Sequence, residues 1–449
     1  MKSIIKKIIA KILEIECRII LKKYRPFIIT VTGSVGKTST KDAIFTVLSS
    51  VKSVAGGASV SGKTSIRRSD KSFNSELGVP LTILGCDNPW GNFIGWLGVM
   101  SHGIELIVFK SDFPSTLVLE IGADHPGDIH RLARWMRPDI SVVTKIGKVP
   151  VHIEFFPSRE ALVAEKLSIA RKVKSTGTLI LPSDDPEILA IRKDNPIKAL
   201  SYGINAPADV SANFIETTYD TATGMPSGIA FKLNYLGNSI PVRIPGVLGI
   251  QHVYPLVAAT AVGLSRGMTI TAIIDSFGEH IPPRGRMNIL NGLSGSAIID
   301  DTYNASPDAV AEALGVLRSL KITPGSRKIA VLGDMMELGK FSQDEHKKVG
   351  VLVADILKDP QDVLVTVGQR AKSIRESAVA AGMPESAVLS FDTSREAGPV
   401  IAAMVKKGEI ILVKGSQSPR LERISEALLQ DPSQAGSLLV RQDAEWKNR

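Results

Sequence analysis

The stretch FIITVTGSVGKTST, residues 27–40, constrains this chain more than any other. An apolar run over 27–31 reads as a strand entering a turn of Gly33, Ser34, Val35 and Gly36. Lys37, Thr38 and Ser39 then open a helical pattern through Ala43, Ile44, Val47 and Leu48. A strand, a glycine turn and a helix start make a phosphate cradle. Glycines let backbone N–H groups close around phosphate oxygens, the helix N-terminus adds partial positive charge, Lys37 adds a full one, and the Thr38 hydroxyl is a ligand for Mg²⁺. The expected ligand is a nucleoside triphosphate.

The literal P-loop spacing fails here because position 31 is Val, and it is met instead at residues 57–64. No strand pattern precedes that second site, and the SIRRSDKSFN after it has no apolar period, so it offers no helix start to an anion. It reads as a coincidence in a Gly/Ser loop.

A length of 449 residues suggests about three domains, and 44% hydrophobic residues can fill their cores. The net charge of +9 is partly local, because Lys2, Lys6, Lys7, Lys11, Arg18, Lys22, Lys23 and Arg25 crowd the first 25 residues. Aromatics are sparse and do not interleave with basic clusters, so no nucleic acid is expected as a partner. Cys17 and Cys86 lack metal-ligand spacing, which fits a reducing cytoplasm.

Residues 1–25 place Ile4, Ile5, Ile8, Ile9, Ile12 and Leu13 on one helical stripe among lysines, an amphipathic basic helix. It either docks on the next domain, the favoured reading, or lies on a membrane surface; its interrupted apolar run argues against a signal peptide. Residues 90–109 are apolar but carry Asn92, His102, Glu105 and several glycines, which suits a buried or interfacial segment better than a membrane span. Together these two stretches, 1–25 and 90–109, keep peripheral membrane contact as the alternative to docking.

From Thr116 strands and helices alternate: TLVLEIG, PGDIHRLARWM, ISVVTKIG, SREALVAEKLSIARKV, TLILP. Such alternation predicts a mostly parallel sheet that includes the P-loop strand. Glu120 falls at the C-terminal end of its strand, the ligand edge of an open α/β sheet, within reach of a metal held by Thr38. Lys166 lies on an apolar stripe with Leu162, Val163, Ile169 and Ala170. It either snorkels to water or is a desolvated amine able to form a carbamate. His152, in the loop before that helix, would alone be read as structural. Residues 207–245 turn β-rich, an antiparallel annex, and two helices follow to about 279. The segment 282–290 reads as a linker presenting Arg284 and Arg286, and an arginine at a domain junction is placed to meet phosphate. Residues 296–449 form a second alternating unit of five short strands, Rossmann-like but without GxGxxG, with polar strand ends at 300–304, 333–339 and 414–416.

Taken together, TGSVGKTST, LGVPLTIL, LEIGADHPGDI, HIEFFPSREALVAEK, PPRGRM, IIDDTYNASPDAV, VLGDMMELG with His346, and LVKGSQSPRLE occur in the order of the Mur ligase family, over about 25–422. The chain resembles that family, and within it the MurF type. After the amphipathic helix at 1–25, the resemblance implies a central ATP-binding domain at 26–287 and a C-terminal Rossmann-like domain at 288–449. It implies an ATP- and Mg²⁺-dependent ligase of peptidoglycan synthesis, in which a muramoyl-peptide carboxylate becomes an acyl phosphate and the amine of D-alanyl-D-alanine displaces phosphate. Lys37, His152, Lys166 and Arg286 would be catalytic. Residues 33–39, His252, Arg286, Asp301, Tyr303 and Asn304 would bind nucleotide. Thr38 and Glu120 would hold one Mg²⁺, with His152 and carbamylated Lys166 serving a second. Asn74, Asn304, Lys414, Ser416 and Arg420 would contact substrates.

Two departures stand out. Only about 25 residues precede the P-loop strand, where family members usually carry a domain that grips the UDP-sugar. Beside the adenine this chain has QHVYPLVAA, so His252 and Pro255 replace two asparagines and the contacts there must differ. A Mur-type ligase with another acceptor and amine, or a nucleotide-binding scaffold at the membrane, remain as alternatives; the joint presence of Lys37, Thr38, Glu120, His152 and Lys166 favours a ligase. A cytoplasmic monomer is expected.

Overall fold

The computed structural model describes residues 2–50, 65–69, 73–147, 150, 152–194, 196–443 and 446; the second P-loop match at 57–64 lies outside the described residues. Nine strands form the first sheet: β1 (Phe27–Thr32), β2 (Ile66–Arg68), β3 (Thr116–Glu120), β4 (Ile140–Val143), β5 (Thr178–Pro182), β6 (Lys198–Gly203), β7 (Val210–Tyr219), β8 (Pro226–Tyr235) and β9 (Asn238–Pro245). Their order is β2-β3-β1-β4-β5-β6-β7-β8-β9. Pairing is parallel from β2 to β7 and antiparallel from β7 to β9, so the β-rich annex continues the same sheet.

β1 runs through the interior because both its faces are apolar, as a parallel strand covered by helices requires. Ile29 and Val31 join the core beneath α2 (Lys37–Ser49) and the helix Val253–Ser265. Ile28 joins the opposite core, beneath α1 (Lys2–Tyr24), α3 (Gly78–Leu84), α4 (Phe93–Val108), α5 (Asp128–Ala133) and α6 (Arg159–Leu167).

The second sheet comprises β10 (Asn288–Asn291), β11 (Ala297–Asp301), β12 (Lys328–Gly333), β13 (Val363–Val367), β14 (Val388–Phe391) and β15 (Ile410–Lys414), in the order β10-β11-β15-β12-β13-β14. Five strands are parallel, and β10 is an antiparallel edge. β11, β15 and β12 are neighbours, which aligns their C-terminal ends on one edge.

Several expectations need correction. The polar SIRRSDKSFN contains β2, an edge strand too short to show a period. β6 was not anticipated from KALSYG. Residues 288–290, read as linker, belong to β10. The helix expected over 158–173 stops at Leu167, and a 3-10 turn follows at Ala170–Lys172.

α1 packs on α3 and α4 through Ile9, Leu13, Cys17 and Ile20, while Ile5, Ile8, Ile15 and Ile19 stay exposed, so the expected stripe is divided between core and surface. The Lys23 ammonium caps α4, donating to the carbonyls of Leu106 (2.8 Å), Ile107 (3.1 Å) and Phe109 (2.5 Å). No described helix is long and apolar enough to cross a membrane.

Glu16 is pressed between α1 and α4 at Gly103, where an added Cβ would lie 2.3 Å from Glu16 Oε2. That oxygen has no hydrogen-bond partner among the described residues, and burial raises the carboxyl from its ordinary 4.5 to about 7. The folded state therefore holds a proton that the unfolded chain releases, and stability is lost as pH rises from about 4.5 to 7. Glu16→Gln should match the parent near pH 4 and become more stable by up to about 3 kcal/mol at pH 8. Denaturant melts across that range measure the difference.

Candidate active site

The C-terminal ends of β1 and β3 and those of β11, β12 and β15 open into one cavity of about 710 Å³. On the β1 side, Gly33 has φ 137°, and a Cβ there would lie 2.1 Å from Thr144 Oγ1, so the turn passes β4 only as glycine. The Ser34 and Val35 amides donate to the Lys145 carbonyl (3.0 and 3.1 Å), which pins the loop. Gly36, at φ 84°, occupies the N-cap of α2, and no side chain caps the helix. The amides of Lys37, Thr38 and Ser39 precede the first intrahelical bond, Thr40 N–H to Gly36 O (2.9 Å). A helix start in this state is an anion site. Lys37 bends back to the carbonyls of Gly33 (3.1 Å) and Ser34 (3.3 Å), and burial lowers its pKa while Glu120 opposes the shift.

Parallel register pairs Val31 with Glu120, setting the carboxylate beside the start of the turn. Glu120 is 1% exposed. Its Oε1 accepts from Asn74 Nδ2 (3.0 Å), and its Oε2 is buried with no hydrogen-bond partner among the described residues. A buried carboxylate oxygen left unpaired is costly unless a cation completes it. Thr38 and Glu120 thus fit a divalent cation. Among the described residues no three His, Cys, Asp or Glu side chains converge on a metal by themselves. That donor set matches Mg²⁺, which takes one or two carboxylates together with phosphate oxygens and water.

Lys166 is 2% exposed among Leu162, Val163 and Leu167, so its side chain is enclosed. Its ammonium makes no hydrogen bond or ion pair with a described residue. Burial first, then the charge on Lys37, lower its pKa from 10.5 to about 7. Its backbone carbonyl accepts from Thr32 Oγ1 (3.4 Å), which ties α6 to β1. His152, at φ 70°, has Nδ1 3.0 Å from Glu337 Oε2, without hydrogen-bond alignment, and Nε2 3.7 Å from Asp124 Oδ1. Two carboxylates, one from each sheet's unit, thus flank the imidazole, which holds the Glu337 carboxyl below its ordinary range.

Across the cavity, the Arg286 guanidinium stacks on the Tyr303 ring (4.3 Å), and its Nε is buried without a hydrogen-bond partner among the described residues. His252 does not line the cavity. Its Nε2–H donates to the Arg286 carbonyl (2.6 Å), and burial lowers its pKa to about 4, so the ring is neutral. Asp301 and Lys414 also sit behind the cavity wall. They pair across adjacent strand ends at 2.5 Å, and Lys414 also donates to the Asn304 carbonyl (3.1 Å). Asn304, Ser416 and Arg420 do line the cavity, as do Asn74, Lys37, Thr38, Glu120 and His152. His346 is buried away from it, with Nδ1–H donating to Ser342 O (2.6 Å) and Nε2 accepting from Met335 N–H (3.0 Å), and so fixes the loop that carries Glu337.

Asp124, Glu337 and Arg441 are the residues the sequence reading passed over. The first two lie inside quoted motifs, but nothing local marked their carboxylates as partners of His152. Arg441 stands beyond the last motif. It donates to the carbonyls of Thr302 (3.0 Å) and Tyr303 (2.5 Å) and to Glu422 Oε2 (2.8 Å), and Arg420 Nε also donates to Glu422. Glu422 is fully buried, so Arg441→Met leaves a buried carboxylate half compensated. That variant should lose about 3 kcal/mol in denaturant unfolding, and Arg441→Met with Glu422→Gln should recover part of it. Additive losses would show that the pair is not coupled.

Comparison with known proteins matches both units of this fold. The Mur ligase middle domain matches residues 31–95 and 100–263, and the Mur ligase, glutamate ligase domain matches 285–417. The chain is 27% identical over 405 residues to the UDP-N-acetylmuramoyl-tripeptide--D-alanyl-D-alanine ligase of Bacillus subtilis, covering 90% of this chain and 76% of that protein. The crystal structure of MurF from Acinetobacter baumannii superposes with a TM-score of 0.71 at 25% identity, over 92% of this chain and 79% of that one. MurF from Thermotoga maritima, solved in complex with ADP, shares the fold at a TM-score of 0.71 and 23% identity, over 93% and 83%. With both domains matched in sequence, in this order, on the same fold, the chain belongs to the Mur ligase family.

Proposed function

We propose that this chain is an ATP-dependent ligase that joins D-alanyl-D-alanine to a muramoyl-tripeptide precursor of peptidoglycan through an acyl phosphate. One observation carries the reading. A bare helix start, two cationic side chains and an unpaired buried carboxylate oxygen share a single cavity with residues of a second α/β unit. A carboxylate attacking a γ-phosphate brings two anions together, and Lys37 and Arg286 supply positive charge where they meet. The α2 amides orient the nucleotide phosphates. Mg²⁺ held by Thr38 and Glu120 would neutralise further charge between the reacting anions.

Lys166 supports a carbamate on its amine. With a pKa near 7, much of it is neutral at neutral pH and nucleophilic toward CO₂. The new N–C bond forms as the nitrogen releases a proton, and the resulting anion, with His152, would serve a second Mg²⁺. Lys37 nearby favours that negative charge. Ser416, Arg420, Asn304 and Asn74, which line the cavity, are proposed to contact the peptide substrates. Asp301 and Lys414 act indirectly in this reading, by fixing the strand ends that carry Tyr303, Asn304 and Ser416. His252 likewise holds the backbone of Arg286, leaving the adenine to other groups. In this reading the chain works as a monomer in the cytoplasm, where ATP is at hand and free thiols such as Cys17 and Cys86 persist.

Mixing ATP with UDP-linked, lipid-linked or free muramoyl tripeptides should give phosphate release that depends on added D-alanyl-D-alanine. No amine-dependent release with any of them would overturn the ligase reading. Lys166→Ala should lower turnover by about a hundredfold or more, with partial rescue by formate or acetate. Full activity in that variant would remove the carbamate.

A further inference from the structure

We propose that the apolar face shared by α1 and α4 seats on an anionic lipid bilayer as a peripheral contact. Most of the large apolar side chains left exposed among the described residues gather on these two adjacent helices and their flanks. α1 divides into three sectors at about 3.6 residues per turn. Ile9, Leu13, Cys17 and Ile20 form the buried sector; Ile5, Ile8, Ile15 and Ile19 form an exposed apolar one beside it; Lys7, Lys11, Arg18 and Lys22 form a basic one beyond that. α4 buries Trp96, Val99, Gly103 and Leu106 and turns Phe93, Ile94, Leu97, Ile104 and Val108 outward, Ile94 being 78% exposed. His102 and Glu105 are its only titratable side chains. Trp90 and Phe109, at the two ends of α4, are exposed as well.

An apolar surface bordered by basic side chains on one helix fits the interfacial zone of a bilayer, where apolar groups reach the acyl boundary and Lys and Arg meet acidic headgroups. Charge selects this occupant over a second copy of the chain. Of the two acids on α1, Glu14 is engaged by Lys11 (3.1 Å) and Arg18 (3.5 Å), and Glu16 is buried with its pKa raised. Lys7 and Lys22 have no hydrogen bond or ion pair among the described residues. A two-fold dimer through this face would bring its basic border toward its own copy, whereas acidic headgroups neutralise it. The helices would lie in the membrane plane, since neither is long and apolar enough to cross it. The contact does not rest on the ligase reading, because none of its side chains lines the cavity.

Flotation of the full chain with phosphatidylcholine vesicles containing about 30% phosphatidylglycerol tests this, against phosphatidylcholine alone. The chain should float with the anionic vesicles and dissociate as salt is raised to about 0.5 M. Combining Phe93→Ser, Ile94→Ser and Leu97→Ser should cut the bound fraction about tenfold while leaving vesicle-free ATP turnover unchanged. Lys7→Gln with Lys22→Gln should weaken anionic binding by a similar factor and spare the fold, because both side chains are exposed. The proposal is overturned by failure to float with anionic vesicles, or by unchanged binding of either variant. It is equally overturned by a dimer in light scattering that the serine variant dissolves while vesicles have no effect.

Discussion

Parallel pairing of β1 with β3 is the constraint on which the rest of the site depends. Because parallel strands end on the same edge, the register that sets Val31 against Glu120 delivers a carboxylate to the phosphate cradle without any loop having to carry it there. The same sheet brings Lys166 behind the cradle through the Thr32 hydroxyl on its carbonyl. Burial and the charge on Lys37 lower the proton affinity of Lys166, and burial and Arg286 lower that of Lys37, next to a carboxylate with an unsatisfied oxygen. Such a site is electrostatically frustrated until anions and a cation enter it, and binding relieves what folding left unpaired.

Strain is found at the same place. Among the described residues ten other than glycine adopt positive φ, and three of them, His152, Glu337 and Arg420, line the cavity. Met287, at φ 52°, follows Arg286 at the joint between the two sheets. A left-handed backbone at such residues costs about 1 to 3 kcal/mol each and persists where surrounding contacts over-determine it. Those contacts are visible: His346 clamps the loop of Glu337, Glu422 holds Arg420, and Asn288 and His252 bracket the backbone of Arg286.

The sequence revealed what is encoded locally. The cradle, the alternation of strands and helices, and Glu120 at its strand end all follow from short-range patterns, and the fold class came with them. Edges were harder. β2 pairs on one side only, β10 has a strand on one side and a single bridge, Val247 to Asn288, on the other, and β6 mixes polar and apolar residues, so none carries the continuous apolar run of a central strand. Roles set by distant partners were harder still. Lys414 looked like a ligand group because it ends a strand on the binding edge, but Asp301, its register neighbour, takes up its charge. His252 looked like a nucleotide contact, yet an element 34 residues later turned it onto a carbonyl. Arg441 had no local signal, since its importance comes from a buried glutamate that only the folded chain brings to it.

Lys145 joins two jobs in one residue. Its carbonyl receives the Ser34 and Val35 amides that shape the cradle, and its ammonium pairs with Glu312 of the second unit at 2.7 Å. Parting the two units would break that ion pair at the same residue whose backbone holds the phosphate loop. Nucleotide binding and the contact between the units are then linked through one residue, and a ligand that tightens the loop must favour the paired arrangement by the amount that pairing favours the ligand.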